Sequence, residues 1–412
     1  MTDSSASRSE RVGGSRTTTD TFARVCMLSF YFHPSYSGSA VQAQNLCRHI
    51  APLGVQTEIV SANLSRSAPH AVVSGISVTR LPLLRSKPLQ IPSFSLSLGW
   101  YLVRNRRSID VVHAHGTFQH AFASIVCRLI GKRSVLKIAM GNSDIAFHRQ
   151  GRAWGRANRF LVRQFDRYIA TSREVYSECC AQGLDESRIR MIPNGVDTDL
   201  FRPSSSPHER HDERQSLGIP DRPVVCFVGI IDARKNVDGL LRVWRAVIRG
   251  GATGHLLIIG PEPTGSDGRP TEFCRRQQQF VADEGLGETV SFLGRQVDVA
   301  PYLRSSDIFF FPSRREGMPN VLLEAMASGL ACIASRIGGS MDLIDDHKNG
   351  LLFDVDDEEG MAEGLALLLR DPSKVATLGR AARRAAVDRF SLAATAEKYV
   401  ELYRQLLMDG AN

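Results

Sequence analysis

Residues 307–335 read DIFFFPSRREGMPNVLLEAMASGLACIAS, and this stretch decides the fold class of the chain. The apolar run Asp307–Phe311 is stopped by a proline, as expected of a short strand that is covered on both faces. A loop with proline and glycine follows, and Asn320 is placed to cap a helix that runs to Gly329. A second apolar run, Leu330–Ala334, predicts another buried strand. Strand, loop, helix and strand in this order are typical of a parallel α/β sheet.

Two glutamates belong to this stretch, Glu316 in the loop and Glu324 on the helix. The helix start faces the carboxyl edge of the sheet, where open α/β sheets bind ligands, and its N–H groups and dipole suit a phosphate. A loop glutamate beside a phosphate would repel it unless the carboxylate binds hydroxyl groups, and sugar hydroxyls meet that need. The alternative is that both acids are solvated surface residues.

The alternation of strand and helix extends over most of the chain. It begins with the apolar run Val25–Phe32 and begins again with Val224–Gly229, after a polar, serine-rich stretch. Two such series predict two doubly wound α/β domains whose strand ends face each other across a cleft. The predicted division is a disordered tail over residues 1–20, an N-terminal domain over residues 21–202, a linker over residues 203–215, a C-terminal domain over residues 216–388, and a C-terminal helix at the domain junction over residues 389–412.

Charge divides the chain into two unlike halves. Residues 1–200 contain 25 Lys and Arg against 13 Asp and Glu, whereas residues 201–412 contain 26 against 30. A basic half suggests an anionic partner, which can be a membrane surface, a polyanion or a charged substrate. Nucleic acid is not expected as a partner, because the sequence has no zinc pattern, RNA-binding signature or recognition-helix motif.

The cysteines and the apolar runs bear on the compartment. None of the eight cysteines stands in a Cys-x-x-Cys arrangement, and several fall in predicted strands, where cysteine behaves as a small hydrophobe. Reduced thiols fit a cytoplasmic protein. Residues 1–20 lack the apolar core of a signal peptide, and no run reaches the roughly 18 apolar residues needed to cross a bilayer. We therefore expect a cytoplasmic protein, either free or peripheral on the inner face of the membrane.

Six groups of residues are weak signals alone but specific when their order and spacing are taken together. They are Pro34 with Ser37-Gly38-Ser39, Asp110–Gly116, Pro193–Asp197 with Phe201, Phe227–Gly229 with Lys235-Asn236, Pro312-Ser313 through Glu324–Ala327, and Ile337–Gly339 with Asp342. In these groups the chain resembles the retaining, nucleotide-sugar-dependent glycosyltransferases of family four, also called group 1. The resemblance runs from about Val25 to Phe390. It implies the GT-B fold, in which an acceptor-side domain and a nucleotide-sugar-binding domain, both Rossmann-like, face across a cleft.

The resemblance also implies a reaction. A hexose-type sugar would move from a nucleotide diphosphate sugar, by family frequency a UDP-sugar, to a hydroxyl of a glycan or lipid-linked acceptor. The anomeric configuration would be retained, and the setting would be biosynthesis of the cell envelope or of an exported polysaccharide. No metal or other cofactor is expected. The alternatives are a nucleotide-sugar epimerase of the same fold and a non-catalytic scaffold that binds nucleotide or glycan.

The resemblance names Lys235, Glu316 and His115 as catalytic. Lys235 would neutralise the donor diphosphate, which needs positive charge as it departs. Glu316 would contact hydroxyls of the donor sugar. His115 shares a strand face with His113 and would reach the transferred sugar. The alternative for the two histidines is that both are strand-end residues satisfied by backbone groups.

The resemblance extends to the other contacts of the donor. Glu324 would bind the ribose hydroxyls, Gly38 would let the backbone approach a substrate, and the helix start would bind the phosphates. The full set of donor-binding residues expected besides Lys235 is Gly38, Gly229, Arg234, Met318, Pro319, Asn320, Val321 and Glu324. The residues expected around the nucleotide base are Phe292, Leu293 and Arg295.

A series of arginines in the basic half suggests contact with an anionic membrane. Their spacing of three or four residues would place five positive charges on one face of a helix, and basic helices of this kind can lie on a bilayer. The alternative is an ordinary solvated helix face. The arginines are Arg152, Arg156, Arg159, Arg163 and Arg167.

Overall fold

The computed structural model describes residues 21–34, 37–116, 119–140, 144–145, 152–265 and 268–409. The N-terminal half forms a sheet whose strand order is β3-β4-β2-β1-β5-β6-β7-β8, with every neighbouring pair parallel except β3 and β4. These strands are β1 (Ala23–Ser29), β2 (Val55–Ala62), β3 (His70–Val73), β4 (Ile76–Leu81), β5 (Val111–His115), β6 (Arg133–Ile138), β7 (Arg167–Ala170) and β8 (Ile189–Met191).

The C-terminal half forms a second sheet, which is parallel throughout its described strands. Its strand order is β11-β10-β9-β12-β13-β14. The two sheets have the layout of two doubly wound domains, as the sequence predicted. The strands are β9 (Val224–Val228), β10 (His255–Ile259), β11 (Val290–Gly294), β12 (Ile308–Phe311), β13 (Ala331–Ser335) and β14 (Leu351–Phe353).

Helices cover both faces of each sheet. Those of the N-terminal half are α1 (Gly38–Ile50), α2 (Lys87–Arg104), α3 (Ala123–Leu129), α4 (Arg152–Val162) and α5 (Arg173–Ala181). Those that follow are α6 (Pro207–Ser216), α7 (Val237–Arg249), α8 (Glu272–Asp283), α9 (Ala300–Arg304), α10 (Asn320–Ala327), α11 (Gly338–Leu343), α12 (Glu358–Arg370), α13 (Pro372–Phe390) and α14 (Leu392–Met408).

The central strands are buried because they have helices on both sides. Every residue of β5, β9, β10, β12 and β13 is buried. Such strands read as continuous apolar runs rather than as alternating ones. This explains why the sequence locates them well and why their carboxyl ends, rather than their faces, carry the polar residues of the cleft.

The last helix joins the two halves of the molecule. After α13, the chain returns to the N-terminal half, and Ser391 bridges to Val196. The Ser391 hydroxyl caps α14 by accepting a hydrogen bond from the backbone N–H of Ala394. Helix α14 then packs against α1, and its Tyr399 and Tyr403 are buried in the same core as Met27 of β1.

The segment predicted as a linker, residues 203–215, is largely helical. Helix α6 begins at Pro207, and the hydroxyl of Ser206 accepts from the N–H of Glu209. On its inner side, Arg214 donates to the carboxylate of Asp307 at 2.8 Å. The polar composition suggested an open linker, but this ion pair fixes the helix on the C-terminal domain.

The prediction of five arginines on one helix face is wrong. Helix α4 ends at Val162, because the chain then turns to enter β7. Arg163 lies in that turn and donates to the carbonyl of Gly183, whereas Arg167 lies in β7 and pairs with Asp409. Arg152, Arg156 and Arg159 belong to the helix, and of these Arg156 and Arg159 have exposed side chains. Within the described ranges, no helix has both the length and the apolar character to span a membrane.

Candidate active site

A cavity of about 360 Å³ lies between the two domains, where the carboxyl ends of the strands meet. Larger hollows exist elsewhere on the surface, but this one gathers most of the residues that the sequence singled out. Predicted site residues in its lining are Gly38, His115, Gly229, Arg234, Lys235, Glu316, Met318, Pro319, Asn320 and Val321. Glu324, Phe292, Leu293 and Arg295 lie outside this lining.

Two cations and one carboxylate occupy the C-terminal wall of the cavity. Nζ of Lys235 lies 2.7 Å from Oε1 of Glu316, and Nη1 of Arg234 lies 2.6 Å from the same oxygen. Lys235 is 8% exposed, and burial lowers its pKa, while the charge of Glu316 acts in the opposite direction. A buried ammonium of this kind is well suited to bind a phosphate that enters from the cleft.

The backbone before helix α7 aims Lys235 into the cavity. Its N–H donates to Oδ1 of Asp232 at 2.8 Å, and the next residue, Asn236, has φ of 56°. Gly229, at the end of β9, faces the lysine stem: a Cβ there would lie 3.4 Å from Cδ of Lys235 and 3.1 Å from the ring of Phe227. The glycine therefore leaves room for the lysine to cross the end of the strand.

The loop that carries Glu316 touches the opposite domain. A Cβ on Gly317 would lie 1.7 Å from the carbonyl oxygen of Ala139, which follows β6. No side chain fits at this position while the cleft stays closed. The glycine thus sets how closely the two domains approach beside the cavity.

His115 forms part of the N-terminal wall, at the end of β5. It is 4% exposed and stacks on His113, with 4.5 Å between the ring centroids. Neither of its ring nitrogens has a hydrogen-bond partner among the residues that the structure describes. Burial lowers its pKa well below the usual value, so the imidazole is neutral near pH 7 and one nitrogen can accept while the other donates.

His113 is held from the other side. Its Nδ1 lies 2.7 Å from the hydroxyl of Tyr403 on α14. Burial lowers the pKa of His113 to about 3, so this ring is also neutral. The two histidines therefore differ: His113 is fixed by the last helix, and His115 belongs to the lining of the cavity.

Asn320 does not cap helix α10, contrary to the sequence prediction. The cap position is Pro319, and Asn320 is the first helical residue. Its side chain is drawn across the cleft instead, where Oδ1 accepts from Nδ2 of Asn194 at 2.8 Å and from Nε2 of Gln42 at 3.2 Å. The start of α10, whose first N–H groups have no partners within the helix, still lines the cavity through Val321.

Glu324 lies one turn further along α10 and is directed toward the loop after β11. Its pKa is raised to about 7, chiefly by burial and then by the negative charge of Asp298 in that loop. The residues predicted around a nucleotide base belong to the same neighbourhood: Phe292 and Leu293 are half-buried in β11, and Arg295 is exposed just after it. Their role as base contacts stays a prediction.

Nine further residues line the cavity without having been predicted for it, and Lys137, Gln42 and Asn194 are among them. Lys137 is the penultimate residue of β6, and its place at the carboxyl end of a parallel strand was the signal that could have found it. Gln42 lies inside α1, and nothing in its sequence context marks it. No group of three or more His, Cys, Asp or Glu side chains within the described ranges is placed to hold a metal ion.

The arrangement can bind a diphosphate between two cations and a helix start, beside a carboxylate and a neutral imidazole that can contact hydroxyl groups.

Two protein-family models match the sequence, one in each domain. The model "Glycosyltransferase Family 4" matches residues 36–200, and the model "Glycosyl transferases group 1" matches residues 222–371. Together they span both domains.

Relatives and solved structures that resemble the chain agree with the family models. The chain is 24% identical over 388 residues to the N-acetyl-alpha-D-glucosaminyl L-malate synthase of Bacillus anthracis, covering 92% of this chain and 97% of the relative. It is 27% identical over 433 residues to the D-inositol 3-phosphate glycosyltransferase of Saccharomonospora viridis, covering 93% and 94%.

Among solved structures, Anabaena HepE in complex with UDP and glucose superposes with a TM-score of 0.76 at 19% identity, covering 93% of this chain and 100% of that one. Sucrose-phosphate synthase from Thermosynechococcus elongatus gives a TM-score of 0.76 at 22% identity, covering 94% and 100%. These likenesses establish the fold. With both family models matched in order along the chain, this protein belongs to the family 4, group 1 glycosyltransferases and has their GT-B fold.

Proposed function

We propose that this protein transfers a hexose-type sugar from a UDP-sugar to a hydroxyl of a glycan or lipid-linked acceptor, with retention of the anomeric configuration. The observation that carries the proposal is the convergence of Arg234, Lys235 and the start of α10 on one cavity that also contains Glu316 and His115. UDP as the nucleotide is supported by Anabaena HepE, whose structures contain UDP and UDP-glucose.

In the proposed reaction the two cations stabilise the departing diphosphate. Negative charge develops on the diphosphate as the glycosidic bond breaks, and a buried, positively charged site lowers the free energy of that state. Glu316 forms ion pairs with both Arg234 and Lys235. When the donor binds, its phosphates take over these cations, and the carboxylate becomes available to hydroxyls of the donor sugar.

The single carboxylate favours positioning over acid–base work. Among the described residues of the cavity lining, Glu316 is the one acidic side chain. A retaining glycosidase mechanism needs two carboxylates that flank the bond. We therefore assign Glu316 and His115 to holding the sugar, and we assign deprotonation of the acceptor hydroxyl to the departing diphosphate on the same face.

We also propose that the acceptor or the pathway is bound to a membrane. The proposal rests on one face of the N-terminal domain. Helix α3 packs between α2 and α4, and these three helices expose large apolar side chains. Arg128, Arg156 and Arg159 are exposed on the same helices. Apolar side chains among arginines fit an anionic bilayer surface. The exposed apolar residues are Leu96, Trp100, Leu129, Trp154 and Phe160.

The proposal can be tested with the purified protein and a panel of nucleotide diphosphate sugars. Thermal shifts identify the nucleotide, and release of free nucleotide with and without a membrane lipid extract measures transfer. Stabilisation by UDP together with lipid-dependent release of UDP is the expected result. Conversion of the donor sugar to an epimer without nucleotide release would favour the epimerase, and nucleotide binding without any turnover would favour the scaffold.

A further inference from the structure

Lys137 is a buried, positively charged residue to which the proposed reaction assigns no role. Its side chain is 4% exposed, and the residue lines the cavity beside His115 and Gly116. It lies in β6, where it pairs in register with His115 of β5. Lys137 therefore belongs to the N-terminal wall, facing the space between the domains.

The ammonium of Lys137 has no anionic partner in the part of the chain that the structure describes. Its Nζ lies 5.6 Å from the centroid of the Tyr399 ring. Arg234 and Lys235, by contrast, both contact Glu316. Burial lowers the pKa of Lys137 to about 7, and no carboxylate among the described residues opposes the effect.

A lone buried ammonium destabilises a folded protein, because it loses its hydration without gaining a counter-ion. Buried charges that lack a partner in the free protein commonly serve a ligand. The groups that interact with Lys137 are polar and uncharged near pH 7: His113 and His115 from β5, with lowered pKa values, and Tyr399 from α14, with a raised one. None of these can neutralise it.

We infer that Lys137 binds an anionic group, a carboxylate or a phosphate, of one of the two substrates at the N-terminal wall of the cleft, separately from the donor diphosphate. This inference rests on the proposed function and narrows its substrate class. The anionic group can belong to the acceptor, next to the hydroxyl that is glycosylated. It can also belong to the transferred sugar, as the carboxylate of a hexuronic acid.

The test compares wild-type protein with Lys137→Met, which keeps the length of the side chain and removes its charge. The acceptor arm titrates UDP-saturated protein with inorganic phosphate, L-malate and myo-inositol 3-phosphate, with neutral myo-inositol as reference. The donor arm compares UDP-glucuronate with UDP-glucose. We expect at least one anionic probe to bind the wild type about tenfold more tightly than its neutral reference, and K137M to lose that preference while its Kd for UDP stays within about twofold.

Two further readouts separate ligand binding from a structural role. Above pH 7 the affinity of the wild type for the anionic probe should fall, because Lys137 must take up a proton to bind, and K137M should show no such fall. The Tm of K137M should equal or exceed that of the wild type, since the variant no longer buries a lone charge.

Several outcomes would overturn the inference. They are equal affinity of the wild type for anionic and neutral probes, a preference that survives in K137M, a lowered Tm of K137M, and a loss of UDP affinity in K137M as large as that in Lys235→Met. The last would place Lys137 at the diphosphate. If UDP fails to bind the wild type, the proposed function itself fails, so the two failures are distinguishable.

Discussion

Lys235 and Glu316 form an ion pair at the bottom of the cleft, with 2.7 Å between Nζ and Oε1, and Arg234 contacts the same oxygen. The carboxylate thus occupies the cations that we expect to receive the donor diphosphate. Donor binding exchanges one anion for another, so the carboxylate both opposes the effect of burial on the pKa of Lys235 and competes with the nucleotide.

Glu316→Gln should separate binding from turnover. Without the competing carboxylate, UDP should bind as tightly as to the wild type or more tightly, while turnover falls about 100-fold because the donor sugar loses a charged contact. Calorimetric titration with UDP and a nucleotide-release assay measure the two effects. Glu284→Gln is a matched control, because Glu284 also lies between two arginines, Arg245 and Arg249, but far from the cavity. Turnover within twofold of wild type in E316Q would contradict the assigned role.

Lys235→Met should weaken UDP binding by about tenfold or more, which corresponds to loss of one charge-assisted hydrogen bond of about 1.5–3 kcal/mol. Calorimetric titration with UDP gives the Kd directly. Lys348→Met serves as control, since Lys348 is exposed in a turn remote from the cleft. An unchanged Kd for UDP in K235M would remove this lysine from the donor site.

Gly317→Ala should block closure of the cleft. The new methyl group would lie 1.7 Å from the carbonyl of Ala139, so the domains must move apart although each core is untouched. We expect a radius of gyration larger than that of the wild type in solution scattering and at least tenfold lower turnover. Gly287→Ala is the control, because a Cβ there meets nothing within 4 Å. If G317A has the compact scattering profile of the wild type, the loop has moved and the distance between the domains has not changed.

The half-buried Glu324 predicts a pH-dependent stability. Its pKa in the folded protein is about 7, against 4.5 for an exposed glutamate, so the folded state binds the proton more tightly. The contribution of Glu324 to the free energy of unfolding is therefore most favourable below pH 4.5, and it decreases as pH rises from 4.5 through 7. The Tm of Glu324→Gln relative to wild type should accordingly be higher at pH 8 than at pH 5, by about 2–4 °C if the difference is on the order of 1 kcal/mol. A Tm difference that does not change with pH would mean that Glu324 does not titrate in this range.

The proposed membrane face predicts binding to anionic vesicles. Replacing Leu96 and Trp100 together by serine should reduce sedimentation with phosphatidylglycerol vesicles at least several-fold, because both side chains are exposed and apolar. Neutral phosphatidylcholine vesicles should bind the wild type more weakly, since the arginines find no anionic lipid there. Val297→Ser, on the other domain, is the control for loss of an exposed apolar residue. Equal sedimentation of both variants and the wild type would remove the membrane from the proposal.

The sequence predicted the fold well where strands are buried on both faces. The predicted strands Val224–Gly229, Asp307–Phe311 and Leu330–Ala334 agree with β9, β12 and β13 to within one residue at each end. Strands β8 and β14 were missed, because three residues are too few to show a pattern. The hairpin of β3 and β4 was missed for a different reason. It lies at the edge of the sheet, and β3 alternates between exposed and half-buried residues instead of forming an apolar run.

Residues of the cavity were predicted from both domains, including Gly38 and His115 of the N-terminal domain. The loop with Glu316 and the cations at the start of α7 lie close to recognisable strands. Contacts across the cleft could not be inferred, since the amides of Gln42 and Asn320 are 278 residues apart in sequence and nothing in the context of Gln42 marks it. Lys137 was not predicted as a site residue for a related reason. Its lack of a counter-ion can be recognised only from the three-dimensional positions of its neighbours.

Helix α14 has a consequence for how this protein is made and dissected. Because Tyr399 and Tyr403 fill the core beside Met27, the N-terminal domain cannot complete its core until the whole C-terminal domain and helix α14 have been synthesised. Until then, an apolar groove on the N-terminal domain stays exposed. A polypeptide of residues 21–202 alone would keep that groove exposed and would tend to aggregate. Supplied with a peptide spanning Ser391–Asp409, the same polypeptide should become monodisperse, as a complex of two fragments.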